Sequence, residues 1–253
     1  MNTERGLTGS IALVTGGSRG IGAAVARSLA EAGADVAVSA RDRDGLVDTC
    51  RQIELTGRRS LAIAFDVTRT STISEAISSV ERELGPIDIL VNNAGVNLPR
   101  PALEVSEDQW DTILDTNLKG AFFCTQRVGQ TMVARRGGRI VNIASAAGLI
   151  PAHERAAYCA SKAGLVMLTR VLALEWAEFG VTVNALAPTF VETELAAQTL
   201  NRPGVRAFWE SRIPLGRLAT TADVATAVRY LVSPEANFIT GVALPIDGGL
   251  TMR

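Results

Sequence analysis

Short apolar runs alternate with longer stretches of helical period along the whole chain. The runs at 11–15, 36–40, 61–65, 87–91, 139–144, 181–186 and 242–246 are rich in Val, Ile, Leu and Ala and have strand length. Between them, apolar positions recur at helical spacing over 21–32, 44–56, 70–84, 107–135, 156–179 and 221–232. Such alternation predicts a doubly wound α/β fold, a seven-stranded parallel sheet with helices on both faces. The runs are continuously apolar, as strands buried on both faces must be. Ala32-Gly33-Ala34 ends one helix and Gly85-Pro86 another. No linker, repeat or low-complexity stretch breaks the pattern, so residues 1–253 read as a single domain. Only 189–214 resists assignment. Its mixture of polar and aromatic residues suggests a mobile lid over a site.

The first run leads straight into Thr15-Gly16-Gly17-Ser18-Arg19-Gly20-Ile21-Gly22 and then into a helical stretch. Strand, glycine turn and helix in that order are what a dinucleotide site of the Rossmann type requires. Gly16 suits a tight turn, Gly20 lets the backbone approach a pyrophosphate, and Gly22 lets the helix lie close to the sheet. The helix start offers free N–H groups and a positive dipole end to the phosphates. The spacing, G-x-x-x-G-x-G, matches the commonest G-x-G-x-x-G fingerprint only in part. The same residues also satisfy G-x-S-x-G, the nucleophile elbow of serine hydrolases. That elbow needs strands upstream, where this sequence has fifteen residues, and a base, for which His153 is the one histidine. The dinucleotide reading is the better one. The second run ends at Ala40 without the acidic residue that grips a ribose 2′-hydroxyl, and Arg41 follows it. With Arg19 in the turn, two guanidinium groups suit a 2′-phosphate, which favours NADP(H).

Candidate chemistry lies further on. Tyr158 and Lys162 stand four residues apart, one turn from each other on one helix face. An ammonium fixed there favours the phenolate of a tyrosine whose free pKa is about 10. Ser145, closing the 139–144 run, can hold the oxygen of a carbonyl or alcohol. Without a metal, a carbonyl must be polarised by hydrogen-bond donors, and Ser145 with Tyr158 supplies two. One histidine and three scattered cysteines (Cys50, Cys124, Cys159) give no zinc-ligand cluster.

Over essentially its whole length the chain resembles the short-chain dehydrogenase/reductase family. Thr15-Gly16-x-x-x-Gly20-x-Gly22, Asn92-Asn93-Ala94-Gly95, Asn117, Ser145, Tyr158-x-x-x-Lys162, and Pro188 followed by Thr193 carry the match. The resemblance implies a catalytic tetrad of Asn117, Ser145, Tyr158 and Lys162. In it Ser145 orients the substrate oxygen and Tyr158 exchanges its proton. Lys162 binds the nicotinamide ribose, and Asn117 holds a water that links the lysine to solvent. It also implies cofactor contacts for Gly16, Ser18, Arg19, Gly20, Ile21, Gly22 and Arg41. Asp66 and Val67 would sit at the adenine, Asn93, Ala94 and Gly95 beneath the ribose, and Pro188, Val191 and Thr193 at the nicotinamide. The family commonly has Pro-Gly where this chain has Pro188-Thr189, a Cβ that constrains the path into the lid. The stretches 107–135 and 156–179 resemble the helices that build four-helix interfaces in the family, which implies a homotetramer.

The substrate pocket should be walled by 96–105, 146–155 and 189–214. These bring Arg100, Leu149, Ile150, His153, Glu154, Arg155, Phe190, Phe208 and Trp209, with His153 placed to reach a polar group. A ketone or secondary alcohol is expected, whether a polyol, a keto acid or a bulkier ketone. Similar sequences reduce 3-oxoacyl groups on acyl carrier protein, for which Arg135-Arg136 offers part of a basic patch. Glu178-Phe179, where such reductases carry a basic residue, argues for a free small substrate instead. An idle NADPH-binding sensor would not need the four catalytic residues. With net charge −1, no electrostatic pull toward nucleic acid or membrane is expected. Unpaired cysteines and the polar start suggest a cytoplasmic protein. No fully apolar run is long enough to read as a membrane span.

Overall fold

A computed structural model describes residues 6–252; residues 1–5 and 253 of the expected domain lie outside them. Seven strands form one parallel sheet: β1 (Ile11–Thr15), β2 (Asp35–Ala40), β3 (Ser60–Ala64), β4 (Ile89–Asn92), β5 (Gly138–Ile143), β6 (Val181–Pro188) and β7 (Ala243–Ile246). Their order is β3-β2-β1-β4-β5-β6-β7. The order reverses between β1 and β4, so a crevice opens beyond the carboxyl ends of those two strands. This is the doubly wound Rossmann architecture that the alternation predicts.

Helices α1 (Gly20–Glu31) and α9 (Thr221–Val232) pack on one face, over Val14, Val36, Val91 and Leu186. Helices α3 (Thr70–Glu83), α5 (Gly120–Arg135) and α6 (Ala156–Trp176) cover the other, over Leu13, Leu90, Ile140 and Val183. Helix α2 (Val47–Glu54) follows a short 3₁₀ turn. The strands are apolar throughout because each face meets a helix layer.

Two departures bear on function. The expected helix 107–135 is broken into α4 (Glu107–Leu114) and α5 by a π-helical turn at Asp115–Lys119. Thr116 donates from Oγ1 to the carbonyl of Thr112 at 2.8 Å, a back-bond that bends helices. The turn places Asn117, a single extra residue per turn having rotated its side chain inward. The segment 189–214 is not irregular: it holds α7 (Glu194–Leu200) and α8 (Val205–Arg212). Its aromatic residues make a small core of their own, with the Phe190 and Trp209 rings 4.5 Å apart beside Leu200, Ile213 and Leu218.

With its 3₁₀ extension, α6 spans 24 residues, and an 18-residue window within it has mean hydropathy 1.3, long and apolar enough to cross a membrane by length and composition. Lys162 and Arg170 interrupt it, so it is not an unbroken apolar run. Only 44% of the window is buried in this fold, yet its inner face holds Lys162, Leu165, Thr169 and Leu172 against the sheet. A polar ladder runs through this region. Asn92 Nδ2 donates to Thr125 Oγ1 at 2.7 Å and to Asn142 Oδ1 at 2.8 Å, and Asn142 Nδ2 donates to Thr169 Oγ1 at 2.9 Å.

Candidate active site

The glycine turn is built from its neighbours. Gly16 and Gly20 have φ of +65° and +58°, which favour glycine. A Cβ on Gly22 would lie 2.2 Å from the Gly16 carbonyl oxygen, so helix α1 could not pack this closely with any larger residue. Asn93 Nδ2 donates to the carbonyls of Thr15 at 3.0 Å and Gly16 at 2.9 Å, while Thr15 Oγ1 receives the Asn93 N–H at 3.1 Å. The two halves of the sheet are thus bolted together at the switch point. Arg19 caps α1 without any side-chain bond, leaving the first N–H groups free to face an anion.

One cleft of about 960 Å³ runs from this turn across the sheet. It brings together Gly16, Ser18, Arg19, Gly20, Ile21, Arg41, Asp66, Val67, Asn93, Ala94 and Gly95, and beyond them Ser145, Tyr158, Lys162, Pro188 and Thr193. Gly22, Asn117 and Val191 do not line it; they sit behind it. The Ser39 hydroxyl, buried at the end of β2 on the cleft wall, has no hydrogen-bond partner among the described residues. Room for an extended ligand, free helix N–H groups and an orphaned hydroxyl fit a dinucleotide.

At the far end, Ser145 lies two residues beyond β5, where its Oγ accepts the Ala147 N–H at 3.2 Å and caps a 3₁₀ turn. Its hydroxyl donates to the Pro188 carbonyl at 3.5 Å and lies near enough to the Tyr158 phenol to favour its ionised form. Lys162 Nζ donates to the Ile143 carbonyl at 2.7 Å and lies 5.8 Å from the centre of the Tyr158 ring. Burial pushes the Lys162 ammonium down from 10.5 to about 8. Burial likewise raises Tyr158, and the Ser145 hydroxyl and the Arg155 charge offset this only in part. The expectation that Lys162 would leave the phenol easily ionised therefore does not describe the cofactor-free site. Asn117 Oδ1 accepts the Val96 N–H at 2.8 Å, and its Nδ2 donates to the Val96 carbonyl at 2.9 Å and to Ser161 Oγ at 3.1 Å. Its amide pins the loop after β4 to the helix that carries Tyr158.

His153 stands apart. Its side chain is 93% exposed, lies 3.8 Å from Glu154, and does not line the cleft. The structure therefore does not bring it together with Ser145 and Tyr158, nor into the cleft that Ser18 lines. Neighbouring Glu154 adopts φ +61°, and its carbonyl accepts the Arg100 N–H at 2.8 Å, tying two pocket walls together. Thr189 is not among the described non-glycine residues with positive φ, so a Cβ is accommodated there. Arg19 pairs with Glu194 of α7 at 3.4 Å, away from Arg41. Sequence reasoning placed Thr15 only in the glycine motif and Asn97 only within the 96–105 wall, and gave Ser39 no role; what each does comes from contacts 30 or more residues away or from the cleft itself. It also missed Asp108, Asp111 and Asp115, which line the cleft, although their i, i+3, i+7 spacing was visible.

Residues 16–251 match the family model described as enoyl-(acyl carrier protein) reductase. The NAD-dependent glycerol dehydrogenase of Listeria innocua is 40% identical, over 98% of this chain and 96% of its own. The 3-oxoacyl-[acyl-carrier-protein] reductase of Vibrio harveyi is 39% identical, over 97% and 99%. A crystal structure of a gluconate 5-dehydrogenase from Burkholderia cenocepacia, in complex with NADP and tartrate, superposes with a TM-score of 0.95 at 35% identity, covering 99% and 98%. With fold, motif order and relatives in agreement, the chain belongs to the short-chain dehydrogenase/reductase family, oxidoreductases that use a nicotinamide cofactor.

Proposed function

We propose that this protein is an NADP(H)-dependent oxidoreductase interconverting a ketone and a secondary alcohol, with Tyr158 as the general acid and base. The observation that carries this reading is the Ser145–Tyr158 hydroxyl pair beside Lys162, in the same cleft as the glycine turn. Gly16, Ser18, Arg19, Gly20 and Ile21 would hold the pyrophosphate. Asp66, Val67, Asn93, Ala94 and Gly95 would hold the adenosine, and Pro188 and Thr193 the carboxamide. The bound nicotinamide supplies or takes the hydride. Ser145 donates to the substrate oxygen and fixes its position; Tyr158 delivers its phenolic proton to that oxygen in reduction and removes it in oxidation. Lys162, already neutral in part at pH 8, can pass a proton on once the ribose reaches it.

The cofactor preference rests on Ser39, Ala40 and Arg41: an orphaned hydroxyl and an exposed guanidinium where an NAD-specific chain has a carboxylate. Ala40→Asp with Arg41→Ala should move kcat/KM toward NADH. The check is the NADPH/NADH ratio for one ketone, and an unchanged ratio refutes the phosphate reading.

The acyl-carrier reading is less well supported. Arg135 donates to the Ile87 carbonyl at 3.0 Å and pairs with Asp88, while Arg136 donates to the Glu178 carbonyl at 2.6 Å and lies over Phe179. Both arginines are already engaged, so the basic patch is not free. The outer face of α6, with Met167, Val171 and Leu174 exposed, supports a homotetramer built on that helix. Met167→Glu with Leu174→Glu should give a smaller species in sedimentation, and a native protein sedimenting as a monomer at micromolar concentration would refute the assembly.

A further inference from the structure

The loop after β4 is held at two points. Asn117 binds both the N–H and the carbonyl of Val96, and the Arg100 N–H bonds to the Glu154 carbonyl. Asn97 lies between these anchors and lines the cleft together with Ser145 and Tyr158. Its Oδ1 is buried from solvent and has no hydrogen-bond partner among the described residues. A buried carbonyl oxygen left without a donor is costly, and such atoms in a native fold call for a partner that binds there. The cleft wall is mixed, with Leu98 next in sequence to Asn97 and Thr189 also lining it.

We infer that Asn97 is a specificity-determining residue that accepts a hydrogen bond from a substrate hydroxyl, so that the cleft selects hydroxyketones and their diols over simple alkyl ketones. This deepens the oxidoreductase reading above and rests on it. The loop anchors fix the backbone on both sides of Asn97 before substrate arrives, so binding needs little main-chain ordering. A substrate with a methyl group in place of the hydroxyl buries the carbonyl oxygen against carbon. A site built to bond a hydroxyl rejects such an isostere far more strongly than an apolar pocket rejects an added hydroxyl.

The test uses two isosteric pairs, hydroxyacetone against 2-butanone and 4-hydroxy-2-butanone against 2-pentanone, with NADPH and NADH. In at least one pair, the native protein should favour the hydroxyketone by about 10- to 100-fold in kcat/KM. Asn97→Leu should bring that ratio to within about threefold. Because no protein hydrogen bond is lost, the cofactor-free Asn97→Leu protein should melt at or above the native temperature. A native preference for the alkyl ketones, a ratio that survives Asn97→Leu, or a melting temperature several degrees lower would each overturn the assignment. Absence of turnover on all four ketones, with NADPH still bound, would instead sink the oxidoreductase reading, and this one with it.

Discussion

Tyr158→Phe is expected to lower ketone reduction by about 10²- to 10⁴-fold while leaving NADPH binding intact. The ring stays, so the packing under the nicotinamide end of the cleft is retained; only the hydroxyl beside Ser145 is lost. Ser145 then polarises the substrate oxygen alone, with no acid to complete the alcohol. The direction of the Tyr158 shift sets the pH behaviour. Burial holds its proton above the ordinary value of 10, so the acid form is present throughout the neutral range. Reduction should therefore stay high near neutrality and fall only as the pH approaches that raised value. Alcohol oxidation, which needs the phenolate, should climb over the same alkaline interval. Stopped-flow or steady-state absorbance of NADPH, followed from pH 6 to beyond pH 10, reads both arms. Near-native turnover in the phenylalanine variant would remove Tyr158 from proton transfer.

Lys162→Met should show a second large effect, in two separable measurements. NADPH binding should weaken about 10- to 100-fold, the cost of losing a charged hydrogen-bond donor, and reduction should fall with it. Stability should change its dependence on pH. In the folded protein Lys162 titrates at about 8, against 10.5 when free. Below pH 8 both folded and unfolded chains carry the proton, and folding bears the whole cost of burying the charge. From about 8 to 10.5 the folded chain has released it while the unfolded chain has not, so stability rises with pH by roughly 3 kcal/mol. Above 10.5 the gain is complete. The methionine variant lacks this rise, so urea melts of cofactor-free protein at pH 7.5 and 10 should diverge for the native chain and run closer together for the variant. Parallel behaviour of the two proteins would show that the ammonium is not held in a desolvated place.

Much of this was readable from the residues. The strands announced themselves because a sheet buried on both faces needs unbroken apolar runs, and β1 and α9 fall where the pattern puts them. The glycine turn was legible because close approach leaves no alternative to Gly22. Helix α5 was not separable from α4, since a π turn changes hydrogen bonding without changing hydrophobic period, and Asn117 owes its position to that turn. The lid was opaque for a related reason: Phe190 and Trp209 pack on each other, giving two short helices too few apolar positions to show a period. His153 misled because proximity in sequence to Tyr158 says nothing about side-chain direction on a loop. The unpaired atoms of Ser39 and Asn97 could not be seen, although 96–105 was read as a pocket wall, since an unpaired polar atom is a property of surroundings, not of a motif.

The amide ladder of Asn92, Asn142 and Thr169 sets a condition on how this catalyst can drift over evolutionary time. Asn142 lies three positions before Ser145, and Thr169 lies on the same helix as Tyr158, so their bond indexes the serine strand to the tyrosine helix. Aliphatic side chains there would fill the space as well, yet would permit sliding; one turn of slip displaces the phenol by about 5.4 Å. A lone exchange strands its partner in a dry interior, at a cost of about 1–3 kcal/mol. Lineages are thus expected to keep the set intact or to replace it together, and this polar thread acts as the ruler by which two reactive hydroxyls stay in step.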